Sequence, residues 1–387
     1  MFSRRVPDDR SANRVSRALA EARRRGRLID LTASNPTRVG LSYPPDLLAP
    51  LGAPAGLTYT PSAFGLQDAR EAVAETYMRR GMAIDADRIV LTASTSEAYS
   101  LLFKLLCEPG GSRVLTPVPS YPLFDHLTAL DGVEQARYPL EYHGTWTVAF
   151  DALDAQWTEA SRAVLAVTPN NPTGSALRQH DADELVSRCV TRRTALILDE
   201  VFRDYPIAAA LDEPAALESP ACLTFRLGGL SKTVGLPQVK LGWIAMQGPE
   251  PLVTEALDRL ELISDTYLSV STPVQLAARQ LLDRGGGVRA QILDRVRQNY
   301  TALTRLLSDG AATVLPIDGG WSAVIRVPAT RSEEAIVLDL LEHASVAVHP
   351  GYFFDFPHEA FLVVSLLPAP DEFAQGVQLM QDRLNAA

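Results

Sequence analysis

The sequence predicts an α/β fold: a large domain with a mostly parallel sheet flanked by helices, plus a smaller α+β domain. Three observations predict it. From about residue 88 to 245, short apolar runs alternate with helical stretches, the pattern of a sheet covered by helices on both faces. Beyond about residue 250 the alternation gives way to a long helical pattern and then to separated strand and helix segments. The chain has 387 residues, 47% of them hydrophobic, enough to bury a sizeable core with a satellite beside it.

Arg, Ala and Leu at helical spacing predict a helix over residues 10–28. Residues 29–62 are rich in Pro, Gly, Ser and Thr and read as loop. A second helix spans Gly65 to Arg80, with Ala69, Val73, Ala74 and Tyr77 on one side. The apolar runs Arg88–Leu91, Arg113–Thr116, Ala163–Val167, Ala195–Leu198, Leu223–Leu227 and Gly242–Ala245 read as strands. Ser96–Leu106 and Asp181–Arg188 read as helices between them. A long helical pattern runs from Pro251 to about Leu307. A strand at Trp321–Val327, a helix at Glu333–His343, strands at Val346–Val348 and Leu362–Leu366 and a last helix complete the chain. We expect the large domain over 46–285 and the small one over 1–45 and 286–387, with the boundary at Gly285-Gly286-Gly287.

The formal net charge of −10 argues against nucleic acid or an anionic membrane as the main partner. No apolar run approaches the roughly 20 residues that span a bilayer. The N-terminus is charged without an apolar stretch behind it, unlike a signal peptide. Three cysteines, none in a C-x-x-C pair, argue against a disulfide framework. A cytoplasmic protein is expected. The six histidines show no metal-ligand spacing, so no metal is expected.

Of 36 Lys plus Arg, only three are lysine: Lys104, Lys232 and Lys240. A lysine in such a chain suggests a task that arginine cannot perform, such as losing its proton and attacking a carbonyl. In open α/β sheets, ligands bind beyond the carboxyl ends of the strands, so the residues there are the candidates. After the first strand, Ser94-Thr95-Ser96 opens a helix and can offer N–H and O–H groups to a phosphate, or be a simple cap. After the second comes Pro119-Ser120-Tyr121, where Tyr121 offers a flat ring or merely packs. After the third, Asn170-Asn171-Pro172-Thr173-Gly174 fixes a tight turn that presents Asn171. After the fourth, Asp199-Glu200 puts a carboxylate where it needs a cationic partner, a salt bridge or a protonated pyridine nitrogen. After the fifth, a Gly-rich segment holds Ser231-Lys232 and Lys240; a lysine in a partly dry pocket has a lowered pKa and forms imines.

In order and spacing, Tyr59 and Gly65, the 94–96 turn, Pro119-Ser120-Tyr121, Asn170–Gly174, Asp199-Glu200, Ser231-Lys232 and Gly319-Gly320 resemble the class I/II aminotransferases among the fold-type I enzymes of pyridoxal 5′-phosphate (PLP), over roughly 30–367. The resemblance implies that Lys232 holds the cofactor as a Schiff base and shuttles the proton at the substrate α-carbon. It implies that Asp199 keeps the pyridine nitrogen protonated, so that the ring accepts electrons. It assigns Asn171 to the ring's phenolic oxygen, Tyr121 to the ring face, and Ser94, Thr95, Ser96, Ser231 and Lys240 to the phosphate. Tyr59 matches a residue that reaches the neighbouring subunit's phosphate, which implies a homodimer.

Four departures from the family pattern stand out. Phe202 replaces a tyrosine that donates to the phenolic oxygen. Lys240 replaces an arginine. Ser34-Asn35-Pro36 replaces a segment that begins with glycine near the substrate. Val363 stands where an arginine clamps the substrate α-carboxylate. Arg38, Arg203 or Arg326 would have to supply that anchor; alternatively the substrate has no carboxylate there, and Tyr352, Phe353 and Phe354 would suit an apolar group. Ser34, Asn35, Arg38 and Tyr352 are therefore the candidate substrate contacts. The expected activity is amino transfer from an amino acid or related amine through an atypical carboxylate site. A PLP lyase eliminating a β- or γ-substituent shares the early steps, and a non-catalytic PLP-binding module is a third reading.

Overall fold

The structure is a computed structural model that describes the chain except residues 1, 9–10, 27, 208–210 and 387. Its centre is an eight-stranded sheet in the order β2-β9-β8-β7-β6-β3-β4-β5. Its strands are β2 (Ile89–Thr92), β3 (Arg113–Val118), β4 (Glu134–Tyr142), β5 (Trp146–Val148), β6 (Ser161–Val167), β7 (Ala195–Asp199), β8 (Thr224–Gly229) and β9 (Gly242–Gln247). β8, β7, β6, β3 and β4 run parallel; β9 lies antiparallel between β2 and β8, and β5 is an antiparallel edge.

The alternation along the strands explains how helices cover both faces. Ala163 and Leu165 of β6 and Ile197 of β7 pack on one side with Ala98, Leu102, Val253 and Leu260, from the helices Thr95–Leu106 and Glu250–Tyr267. Their neighbours Val164, Ala166, Leu196 and Leu198 pack on the other side with Leu153, Leu185 and Cys189. Strands buried on both faces read as unbroken apolar runs, which is why they were legible.

The remaining strands are β1 (Ile29–Asp30), β10 (Thr313–Val314), β11 (Ser322–Arg326), β12 (Val346–Ala347), β13 (His349–Pro350) and β14 (Phe361–Ser365). They form an antiparallel sheet β10-β11-β14-β13 and a short parallel pair β1-β12. The helices Arg14–Arg25, Gly286–Leu306 and Pro370–Asn385 accompany them. Residues 10 and 27 of the expected first helix lie outside the described residues.

Two expectations need correction. The long helical pattern from Pro251 is three helices, Glu250–Tyr267, Thr272–Arg284 and Gly286–Leu306, broken at Leu268, whose φ is +69°, and at Gly285. A Cβ at Gly285 would sit 2.5 Å from Val234 Cβ, so the break packs directly against the segment after Lys232. The sequence reading also lacked β4 and β5. β4 alternates Glu134, Arg137 and Glu141 with apolar residues and contains Pro139, so it has no apolar run. Among the described residues, no helix is long and apolar enough to cross a membrane and no His/Cys/Asp/Glu group is placed to hold a metal ion. The three cysteines are free and buried.

Candidate active site

The carboxyl ends of the parallel strands open on a cavity of about 350 Å³. Asp199, the last residue of β7, lies on its wall and is 7% exposed. Its carboxylate accepts hydrogen bonds from Tyr99 Oη at 2.7 Å and Val201 N at 3.1 Å. Burial nevertheless holds its pKa above the usual carboxylate value, against those two bonds; the neighbouring Glu200 adds to the rise and Lys232 opposes it. No ion pair is formed to Asp199 among the described residues. This is a buried carboxyl with donors but no paired cation, a place that a protonated ring nitrogen would suit.

Lys232 sits on the short helix Leu230–Thr233 that follows β8. Its Nζ lies 4.7 Å from the ring centroid of Trp321 and 5.5 Å from that of Phe202. Burial lowers its pKa to about 8, with Asp199 pulling the other way. At pH near 8 a large fraction of Nζ is therefore neutral and nucleophilic.

The depressed pKa carries a stability consequence for the cofactor-free chain. Below pH 8 the folded state bears the full penalty of burying a protonated amine. Between pH 8 and the unfolded value of about 10.4, only the unfolded state holds the proton, so stability rises with pH. Lys232→Met removes this slope. Urea midpoints of the two cofactor-free proteins should differ at pH 7, with the variant the more stable, and converge above pH 10. Parallel pH profiles would show that Nζ is not desolvated.

Ser94 caps the helix Thr95–Leu106: its Oγ accepts from Glu97 N at 3.1 Å, and Glu97 reaches back to Ala93 N at 2.5 Å. That leaves the hydroxyls of Thr95 and Ser96 and the helix N-terminus facing the cavity, an arrangement suited to a phosphate. β9 crosses directly beneath this cap; a Cβ on Gly242 would sit 2.9 Å from the Ser94 carbonyl carbon, so only glycine fits. Ser231 and Lys240 line the same cavity. Lys240 has φ +64°, a left-handed conformation that costs a non-glycine residue on the order of 1–2 kcal/mol. The fold holds this lysine against its backbone preference at the point where a cation faces the site. Tyr121 and Asn171 complete the lining, and Asn171 Oδ1 accepts from Ser322 Oγ at 3.3 Å.

The donor set fits PLP: a helix N-terminus with hydroxyls and two lysines for a phosphate and an aldehyde, a buried acid for a ring nitrogen, and an amide and an aromatic ring beside them. The family model described as "Aminotransferase class I and II" matches residues 29–372. The chain belongs to that family. Family members on this fold use PLP, and this chain is a PLP-dependent aminotransferase acting on amino acids. The chain is 25% identical over 357 residues to the glutamate-pyruvate aminotransferase AlaA of Escherichia coli K12, covering 89% of this chain and 87% of that protein. It is 26% identical over 365 residues to an alanine aminotransferase of Mycobacterium tuberculosis, covering 91% and 84%. An alanine aminotransferase structure from Pyrococcus furiosus superposes with a TM-score of 0.90 at 21% identity over the full length of both chains. That likeness establishes the aspartate-aminotransferase-like fold.

Not every expected residue meets the family's site. Tyr59 is 66% exposed and lies away from the cavity. Ser34 lines it, but Asn35 turns back to accept from Thr37 N at 3.0 Å, and exposed Arg38 does not line it. None of the arginines considered as a carboxylate anchor reaches it: Arg38 and Arg326 are exposed, and Arg203 pairs with Glu213 at 3.0 Å. Tyr352 packs edge-on against Phe353 at 5.0 Å and is itself half-exposed, outside the lining. Tyr99, Trp321 and Ser322 are site residues that the sequence reading missed. Tyr99 faces inward one turn after Thr95, and Trp321 directly follows Gly319-Gly320; those were the available signals.

Proposed function

We propose that amino transfer runs on Lys232, with Asp199, Asn171, Tyr121 and the 94–96 turn holding the cofactor. One observation carries this reading: a partly buried lysine with a pKa near 8 and a buried, ion-pair-free carboxylate face one cavity at the strand ends. PLP, when bound, supplies an electron sink for the carbon that carries the amine. Asp199 keeps a proton on the ring nitrogen. Neutral Lys232 Nζ would hold the cofactor and would take and return the proton at the substrate α-carbon. Ser231, Lys240 and the helix N-terminus at Thr95 hold the phosphate. Phe202 and Trp321 wall Nζ off from water and keep it desolvated. Phe202 offers no hydroxyl to the phenolic oxygen, so Asn171 is the donor there.

We assign residues 46–285 to the cofactor-binding unit and 1–45 with 286–387 to the smaller one. The exposed ring of Tyr59 supports a homodimer in which it serves the neighbouring subunit's phosphate. We place the enzyme in the cytoplasm.

The test is a half-reaction. Holoenzyme mixed with an amino donor should yield one equivalent of keto acid and pyridoxamine phosphate. Keto acid with free ammonia and retained PLP would instead assign the chain to elimination chemistry.

A further inference from the structure

A second chamber of about 350 Å³ adjoins the cofactor cavity. The two share Ser34, Tyr121, Asn171 and Ser322. The far walls of the second chamber are Thr32, His349, Phe353, Phe354, Val363 and Ser365. Its floor is the β13–β14 ladder, where His349 lies directly across from Val363, and Val363 in turn lies across from Val324 of β11. Among the described residues, no Lys or Arg lines it. The nearby acid Asp30 is already engaged by Arg23 at 3.0 Å and by Thr32, so no spare cation approaches from that side.

His349 is the chamber's distinctive polar group. Its ring lies 5.7 Å from both Phe353 and Phe354, and no hydrogen bond to its ring nitrogens is formed among the described residues. Burial lowers its pKa, against the pull of Asp30, which favours the neutral imidazole. A neutral imidazole offers one donor and one acceptor and no net charge. A carboxylate placed here would lose its hydration with no cation in return, a penalty of several kcal/mol. A ring suits the space: an apolar cavity of about 150 Å³ already accommodates benzene.

We propose that this chamber is a substrate subsite for an uncharged aromatic group bearing one hydrogen-bonding atom, held among Phe353, Phe354 and Val363 with its polar atom on His349. The donor is thus an aromatic amino acid of the phenol type, with its ring in the arm where the family pattern expects a carboxylate. The α-carboxylate stays out of this chamber, on the side of the cofactor cavity, which Lys232 and Lys240 line. This rests on the amino-transfer reading of the adjoining cavity.

The probe is p-cresol, a neutral phenol with neither amine nor carboxylate, titrated calorimetrically into holoenzyme. It should bind the wild type, weaken about tenfold in His349→Phe through loss of the hydrogen bond, and be excluded by Val363→Arg. In parallel, tyrosine should exceed glutamate as donor by at least about tenfold in kcat/KM. His349→Phe should cut the tyrosine-to-phenylalanine ratio about tenfold. Failure of p-cresol to bind, or equal binding to wild type and His349→Phe, would overturn the subsite, as would glutamate outperforming tyrosine. Should Val363→Arg not fold, the His349→Phe comparison still decides. If p-cresol binds as expected but no donor is converted, the amino-transfer reading fails and the subsite stands.

Discussion

Lys232→Ala is expected to lower amino transfer by about 10²–10⁴-fold from loss of the proton shuttle alone. The variant should still bind PLP, because Asp199, Asn171 and the 94–96 turn are untouched. Single-turnover absorbance with saturating donor gives the rate, and dialysis gives retention. Lys232→Arg separates charge from chemistry. It keeps a cation near Asp199 but cannot release the proton at working pH, so it should be as slow as alanine. A rate within tenfold of wild type in either variant would remove Lys232 from the chemistry.

Arg226→Met should lower the unfolding free energy by about 3–5 kcal/mol. Arg226 lies in the middle of β8 and is 0% exposed. Its guanidinium pairs with Glu200 and, at 2.7 Å, with Glu213, and its Nε donates to Gln247 Oε1 at 2.7 Å. Glu213 also faces Arg203, so two arginines balance two glutamates in a nearly dry layer beneath the cofactor cavity. Removing Arg226 leaves Glu200 without an ion pair and Glu213 with Arg203 alone, and Glu200 directly follows Asp199, whose ionisation it already opposes. The double variant Glu200→Gln, Arg226→Met should recover most of the loss, since it leaves Glu213 paired with Arg203 and strands no buried charge. Urea denaturation of the cofactor-free proteins measures both. A loss below 1 kcal/mol in Arg226→Met would mean that water reaches the cluster.

Much of this architecture was legible because chemistry and periodicity coincided. Strands buried on both faces show as apolar runs, and the residues that line the cavity follow those runs at their carboxyl ends. Lys232 stood out because the chain otherwise builds its positive charge from arginine. What the sequence concealed depends on contacts between distant segments. Tyr99 and Asp199 meet across 100 residues, and Ser322 reaches Asn171 across 151. The Arg226 cluster was signalled only by an arginine inside an apolar run. The missing anchor is the clearest case. The sequence showed valine at position 363, but only the fold shows that His349 lies across from it and that no Lys or Arg joins them in the chamber lining.

Borohydride reduction of the holoenzyme followed by peptide mapping decides whether Lys232 carries the cofactor. The peptide that carries Lys232 should gain the mass of the reduced cofactor, and that gain should disappear in Lys232→Ala. An adduct on Lys240, or none on any lysine, would contradict it.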